Sequence, residues 1–492
     1  VLVSAGATAL NVQGARLVAN ATGATGNGIE NAGEISGIQL LNTTIDVADG
    51  FGLRTAATIS ATNSGTINVS GSGAGIAFQA ADGSQIATSL DLSDSQGLTI
   101  RATGAGGRGV VANTTGVVNT AVNVSIQHTA GGSALVLGDG VTTVVNGGVL
   151  RSNSRTAPTV ATNKVTHFTN SATGEVNAPN GGGTALSFDD QSTTLVNVGR
   201  IAGLVDLGAG NNVLQNTGTI DGEVRAGTGD NTLSLDGGTI TGNVRLAGAT
   251  GANSLLLKDG SRIGTFLGSS GDDTVTVQGA GNQFTALDGG AGNDTLVFDG
   301  ATYALTDSNV IRSFDQVRLR NAATLTLQTT LAGKPASGAA IDLDGENTTL
   351  VIKPTIVGDV TLGNALLGTG LVQVDAGSHA FNLASSVGSA FRGTLAVDRG
   401  TFTLGGNNAS ALSNATLRMG AGNITSVADG VQSIGGLAFD GGTLIFNAQA
   451  PGQITAPGSI NAGTLDASGT GAVRVTVPTS LVATPPGTPN VL

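Results

Sequence analysis

Short runs in which apolar and polar residues alternate recur along the chain, each broken within a few residues by Gly, Asn or Asp. "TLSLDGG" at 232–238 and "TVTVQG" at 274–279 are examples. Alternation with a period of two predicts strands with one buried face. Gly-Asn, Gly-Asp and Asp-Gly pairs tolerate positive φ, so they predict turns between those strands. The runs also repeat as a set. "GAGNNVL" ends at Leu214, "GTGDNTL" at Leu233, "TGANSLL" has its matching Leu at 255, "SGDDTV" ends at Val275 and "AGNDTL" at Leu296. The spacings are 19, 22, 20 and 21 residues. The other half of each unit repeats as "GRIAGLV" from Gly199, "GTIDGEV" from Gly218, "GTITGNV" from Gly238 and "GSRIGTF" from Gly260. Five consecutive units therefore fill 199–300. One such unit cannot bury its apolar face alone, and stacking the units buries it. The pattern predicts an all-β chain, a right-handed parallel β-helix forming a single elongated rod.

The inward columns of that helix can be written down. Ile201, Ile220, Ile240 and Ile263 form one; Val205, Val224, Val244 and Phe266 form a second. Leu214, Leu233, Leu255, Val275 and Leu296 form a third, beside Leu235, Leu257, Val277 and Phe298. Asn212, Asn231 and Asn253 share a position continued by Asp273 and Asp294, and stacked Asn side chains can hydrogen-bond from coil to coil. Before residue 199 the rhythm is looser. "NAGEI" (31–35), "NSGTI" (63–67), "NGGVL" (146–150), "NVGRI" (197–201) and "NTGTI" (216–220) share Asn-x-Gly-x-Ile/Val/Leu. Residues 1–198 thus read as irregular coils with longer loops. At ~20–25 residues and ~4.8 Å per coil the rod is on the order of 100 Å long.

Composition sharpens this picture. Gly is 79 of 492 residues and charged residues are 11%, yet the hydrophobic fraction is 39%. Such a chain folds rather than staying disordered. Cysteine is absent, so no disulfide staples the fold. Either cytosolic folding or export as an unfolded chain through a pore accounts for that. The net charge of −12 argues against nucleic acid as a partner. No apolar run approaches a membrane span. No signal-like segment opens the chain, Val1 is not an initiator Met, and the chain reads as a mature piece of a larger protein.

Several stretches resemble the passenger domains of bacterial type V autotransporters of the adhesin (AIDA-like) kind. "NSGTI" followed by "GSGAGIAF" is similar to that family's recurrent coil. "VIRSFDQVRLRNAATLTL" at 310–327 is similar to its Phe-acidic segment leading into a strand. "FRGTLAVDRGTFTLGGNN" at 391–408 and "SIGGLAFDGGTLIFNA" at 433–448 resemble its C-terminal passenger repeats. The resemblance implies C-terminal coils over 301–476 that include an autochaperone-like segment. It also implies a Pro-rich linker at 477–492, with Pro478, Pro485, Pro486 and Pro489, leading to an outer-membrane barrel beyond this chain. An exported, surface-exposed or released protein is the expectation that follows.

Candidate chemistry can then be weighed. "LDGGAGNDTLVFDG" at 287–300 contains a calcium-type turn. A calcium β-roll repeats that turn every nine residues, whereas here it recurs once per coil of about 20. The turn reading is favoured, with Asp272, Asp273 and Asp294 as weak metal candidates. The acid pairs Asp189-Asp190 and Asp272-Asp273 are the raw material of a glycan-cleaving site, but strand neighbours face opposite ways. His128, His167 and His379 sit in no recognisable motif, Trp is absent and Tyr303 is the sole Tyr. There is no Gly-Asp-Ser-Gly, no Gly-x-Ser-x-Gly and no phosphate loop. The sequence is therefore read as non-enzymatic and without a cofactor. Two stretches interrupt the coil rhythm, 79–108 and 150–182. The second gathers Arg151, Arg155, Lys164 and His167 in an acidic chain, and these are the candidate partner-binding residues. The expected partner is a host protein of matrix, cell surface, serum or complement. Self-association, a polysaccharide-active enzyme and a calcium β-roll are the alternatives.

Overall fold

The computed structural model describes residues 2–3, 9–19, 26–31, 37–59, 63–121, 123–162, 164–179, 182–246, 250–331, 334, 339–355, 358–384, 390–448 and 456–477. Almost all of the linker expected at 477–492 lies outside them. The chain is a parallel β-solenoid of about 17 turns, with one short helix, Asn407–Ala411, among the described residues. It divides into two compact units, residues 1–272 with 281–285 and residues 273–280 with 286–492.

In the first unit each coil contributes three strands. One coil runs through Leu98–Ala102, Gly107–Ala112 and Val118–Thr120, and the next begins at Val124–His128. Each strand pairs in parallel with its counterpart one coil on, so every apolar inward residue stacks on another. Ile201 pairs with Ile220 and Ile220 with Ile240; Val205 pairs with Val224, Val224 with Val244 and Val244 with Phe266. Leu214, Leu233 and Leu255 stack in the same way, as do Leu235 and Leu257. All are buried. Each such side chain contributes about 1.5–3 kcal/mol relative to exposure. This explains how a chain with few aromatic residues holds a core: the stack buries one branched residue per strand face, coil after coil.

Two buried asparagine ladders run beside these columns. In the first, Asn146 Nδ2 donates to Asn170 Oδ1 (2.8 Å), Asn170 Nδ2 to Asn197 Oδ1 (2.8 Å) and Asn197 Nδ2 to Asn216 Oδ1 (2.7 Å). In the second, Asn212 donates to Asn231 (3.0 Å) and Asn231 to Asn253 (2.9 Å). An amide carries both donor and acceptor, so each rung of the ladder satisfies the next. The Asn-x-Gly-x-Ile pattern anticipates most of the first ladder. It misses Asn170, which lies in "NSATGEV".

The second unit follows the same rule. Val275 pairs with Leu296 and Val277 with Phe298. A further inward column runs Leu325, Leu350, Val372, Leu395, Leu417 and Leu437. Phe381 and Phe402 stack on adjacent rungs with ring centroids 5.9 Å apart. The column ends on Leu465, paired with Leu437 and 71% exposed.

The stretches expected to interrupt the coil rhythm carry long connections between strands that keep the coil register. Strands Leu90–Leu92 and Leu98–Ala102 cross 79–108; Val149–Ser152, Val160–Ala161, His167–Asn170 and Glu175–Asn177 cross 150–182. Residues 79–89 form a long connection with a single bridge, Ile86 to Thr114, while the strands on either side keep the coil register. The sequence of both stretches hides the period because their turns differ in length.

Candidate functional site

The four candidate partner-binding residues are all exposed, but the solenoid separates them into two pairs. Arg151 stands on strand Val149–Ser152, and Arg155 in the turn that follows it. Lys164 lies in the turn after the next strand, and His167 opens strand His167–Asn170 of a different sheet. Arg151 and Arg155 have other company. Arg101 is in register with Gln127, and Gln127 with Arg151. Arg101 and Arg151 thus lie in one outward column, two rungs or about 9.6 Å apart. Arg108 lies just past the turn 103–106, which occupies the same corner as the Arg155 turn. Arg101, Arg108, Arg151 and Arg155 therefore share one corner of three successive coils.

That corner is held from inside. His128 ends the middle strand, between Ala102 and Ser152 in register, and is buried. Its Nδ1 accepts three successive backbone N–H groups, from Ala130 (3.2 Å), Gly131 (3.2 Å) and Gly132 (3.0 Å). Burial lowers the imidazole pKa below its ordinary value, and a ring nitrogen facing three donors has no room for a proton. Ser152 Oγ donates to Gly132 O (2.7 Å) and ties the middle turn to the next coil. Ser154 Oγ accepts the N–H groups of Thr156 (3.2 Å) and Ala157 (2.8 Å), which closes the turn that carries Arg155.

None of the four arginines has an acid partner among the described residues, whereas ten of the other arginines do. The reason is in the sequence: residues 95–174 hold five basic side chains and one acid, Asp139. That local excess of charge is the signal that would have found Arg101 and Arg108. Glu175, one coil beyond Arg151, accepts a hydrogen bond from Asn177 instead (2.9 Å).

From there on the same corner changes character. Arg200 pairs with Asp221 (2.5 Å), and Glu223 forms ion pairs with both Arg225 (2.5 Å) and Arg245 (3.4 Å). Gly203, Gly222 and Gly242 stack at the bend. A Cβ on Gly222 would lie 2.1 Å from Gly203 O, so only glycine fits. The stack leaves a groove of about 420 Å³ lined by Pro179, Arg200, Asp221 and Glu223, whose charges are already mutually neutralised.

The weak metal candidates do not converge. Asp272 is exposed, while Asp273 and Asp294 are buried. Asp294 Oδ1 accepts the Asp273 N–H (2.8 Å), and its Oδ2 meets the Lys334 ammonium (2.5 Å), which also reaches Asp315 (3.2 Å). Burial raises the Asp294 carboxyl pKa above its ordinary value, against the pull of that ammonium. The chain's own lysine engages the carboxylate of the calcium-type turn. Among the described residues no group of three or more His, Cys, Asp or Glu side chains is placed to hold a metal ion. Asp189 and Asp190 are exposed at a turn.

Two Escherichia coli (strain K12) proteins are similar to this chain. It is 44% identical over 110 residues to the uncharacterized lipoprotein YdeK, a stretch covering 22% of this chain and 8% of that protein. It is 34% identical over 137 residues to the uncharacterized protein YuaQ, covering 27% of this chain and 10% of that protein. The chain thus spans no more than a tenth of the length of the curated relatives it matches. No family model matches the chain, and no solved structure matches it.

Proposed function

We propose that this chain is a non-enzymatic binding module of a bacterial cell-envelope protein, displayed at the surface in the manner of an autotransporter passenger and acting as an adhesin or host-binding factor. The observation that carries this reading is the corner of four arginines without acid partners, set on stacked coils that fix its geometry. A rigid scaffold with an exposed, pre-positioned charged cluster suits recognition. The resemblance of the coil motifs to adhesin-type passengers supports the same reading, and a relative named as a lipoprotein fits a place at the envelope. Capture of a serum or complement protein is the closest variant of this function. The test is adhesion of the labelled chain to human epithelial cells and its retention of serum proteins, with Arg151→Gln/Arg155→Gln beside it. Saturable binding weakened by the double substitution is expected. Absence of binding, or turnover of a glycan panel by the chain, contradicts the proposal.

A second reading, self-association, is favoured by one feature. Leu465, Val473 and Val475 are 71%, 63% and 61% exposed on strands Ser459–Asp466 and Ala472–Thr476. Each of these strands pairs on one side only among the described residues. Open apolar strand edges invite another strand. Light scattering across a concentration series reads this directly. Growth of the particle that Val473→Lys/Val475→Lys suppresses supports it, and a constant size excludes it.

A further inference from the structure

We infer that the corner formed by Arg101, Arg108, Arg151 and Arg155 binds a linear sulfated polysaccharide. This rests on the binding function proposed above and names its ligand class. The four side chains are guanidinium groups, whose planar fork matches the oxygens of a sulfate better than an ammonium does. They are free to engage a ligand because no carboxylate neutralises them. Arg101 and Arg151 repeat along the solenoid about 9.6 Å apart. That arrangement suits a chain carrying anions at intervals rather than a single small anion. Between them Gln127 faces outward, half-buried; its Nε2 donates to Ser125 Oγ (2.8 Å), and its Oε1 can accept from a sugar hydroxyl.

Other polyanions fit less well. An anionic membrane calls for apolar side chains beside the charges, and among the described residues the large exposed apolar ones, such as Val18 and Val198, all lie outside the three coils of this corner. Single-stranded nucleic acid calls for aromatic platforms, and the corner has none.

The test measures binding of the intact chain to an immobilised, fully sulfated heparin-type oligosaccharide by biolayer interferometry. Hyaluronan, which carries carboxylates only, duplex DNA and phosphatidylserine vesicles are run alongside. Arg101→Gln/Arg151→Gln is compared with Arg225→Gln, whose arginine is already paired with Glu223. All three positions are exposed, so melting temperatures report that the variants fold. The sulfated chain is expected to bind, about tenfold more tightly than hyaluronan, with the double variant weakened about tenfold or more and Arg225→Gln within about twofold of the parent. Equal or tighter binding of DNA or vesicles, no binding of the sulfated chain, or an unaffected double variant overturns the inference. Epithelial adhesion that survives enzymatic removal of sulfated glycans overturns it while leaving the adhesin reading standing. Sulfate binding without any cell or serum binding overturns that reading instead.

Discussion

Two stretches of the first unit use the same corner of the solenoid in opposite ways. In the coils between residues 98 and 157 the corner carries Arg101, Arg108, Arg151 and Arg155 with no acid to meet them. In the coils between 200 and 245 it carries Arg200, Arg225 and Arg245, each against Asp221 or Glu223. The backbone plan is shared: parallel strands, a bend, and outward side chains in register. What differs is whether a carboxylate stands within reach of the arginines. Gln127 lies between Arg101 and Arg151, whereas Glu223 lies within reach of both Arg225 and Arg245. The bends differ too. The neutralised coils turn on a tight glycine stack, while the arginine coils turn on longer loops pinned by His128, Ser152 and Ser154. Fold and recognition are therefore separable here. The inward columns and Asn ladders set the coil, and the outward residues at one corner decide whether it attracts an anion.

The largest effect is expected where the two regions share a support. The ladder Asn146, Asn170, Asn197, Asn216 passes from the arginine coils into the neutralised ones. Asn197→Leu leaves Asn170 Nδ2 and Asn216 Oδ1 buried without that partner, and should cost about 3 kcal/mol, read by urea unfolding. Anion binding and the Arg–Glu pairing should then fail together on heating. A smaller effect separates the two bends. Gly222→Ala places a Cβ against Gly203 O and should destabilise by about 2 kcal/mol. Gly131→Ala meets nothing within 4 Å and should stay within about 0.5 kcal/mol of the parent. Equal melting temperatures for these variants would erase the distinction between tight and loose bends.

The smallest effect is a pH dependence confined to the arginine coils. His128 has a lowered pKa in the folded state, so the unfolded chain takes up its proton first as pH falls. Stability from this residue is complete above the unfolded value near 6.5 and declines below it, by no more than about 1.4 kcal/mol per pH unit. His128→Asn keeps an acceptor for the turn and should flatten that part of the stability–pH curve. A curve with the same slope in both proteins would assign the effect to other groups.

The sequence discloses these features unequally. Ile201, Ile220 and Ile240 are legible because their coils are nearly equal in length and the period repeats without interruption. Arg101, Gln127 and Arg151 form an equally straight column, yet their spacings of 26 and 24 residues are set by turns of differing length. Nothing local marks them as neighbours, and the intervening turns read as interruptions for the same reason. Arg151 and Arg155 were recognisable as basic residues in an acidic chain. Their separation from Lys164 and His167 was not, because it depends on which strand belongs to which sheet. Likewise Asp294 reads as a turn residue and weak metal candidate, and only the fold brings Lys334 to it from 40 positions away.

The central claim is that a carboxylate within reach of the arginines switches this corner off. Its most direct test is a reciprocal exchange, Gln127→Glu in the arginine coils and Glu223→Gln in the neutralised ones, with affinity for the sulfated oligosaccharide measured at fixed low salt. The account predicts that Gln127→Glu weakens binding about tenfold or more, and that Glu223→Gln, by releasing Arg225 and Arg245, adds a second, weaker site. Unchanged affinity and stoichiometry in both variants would contradict it.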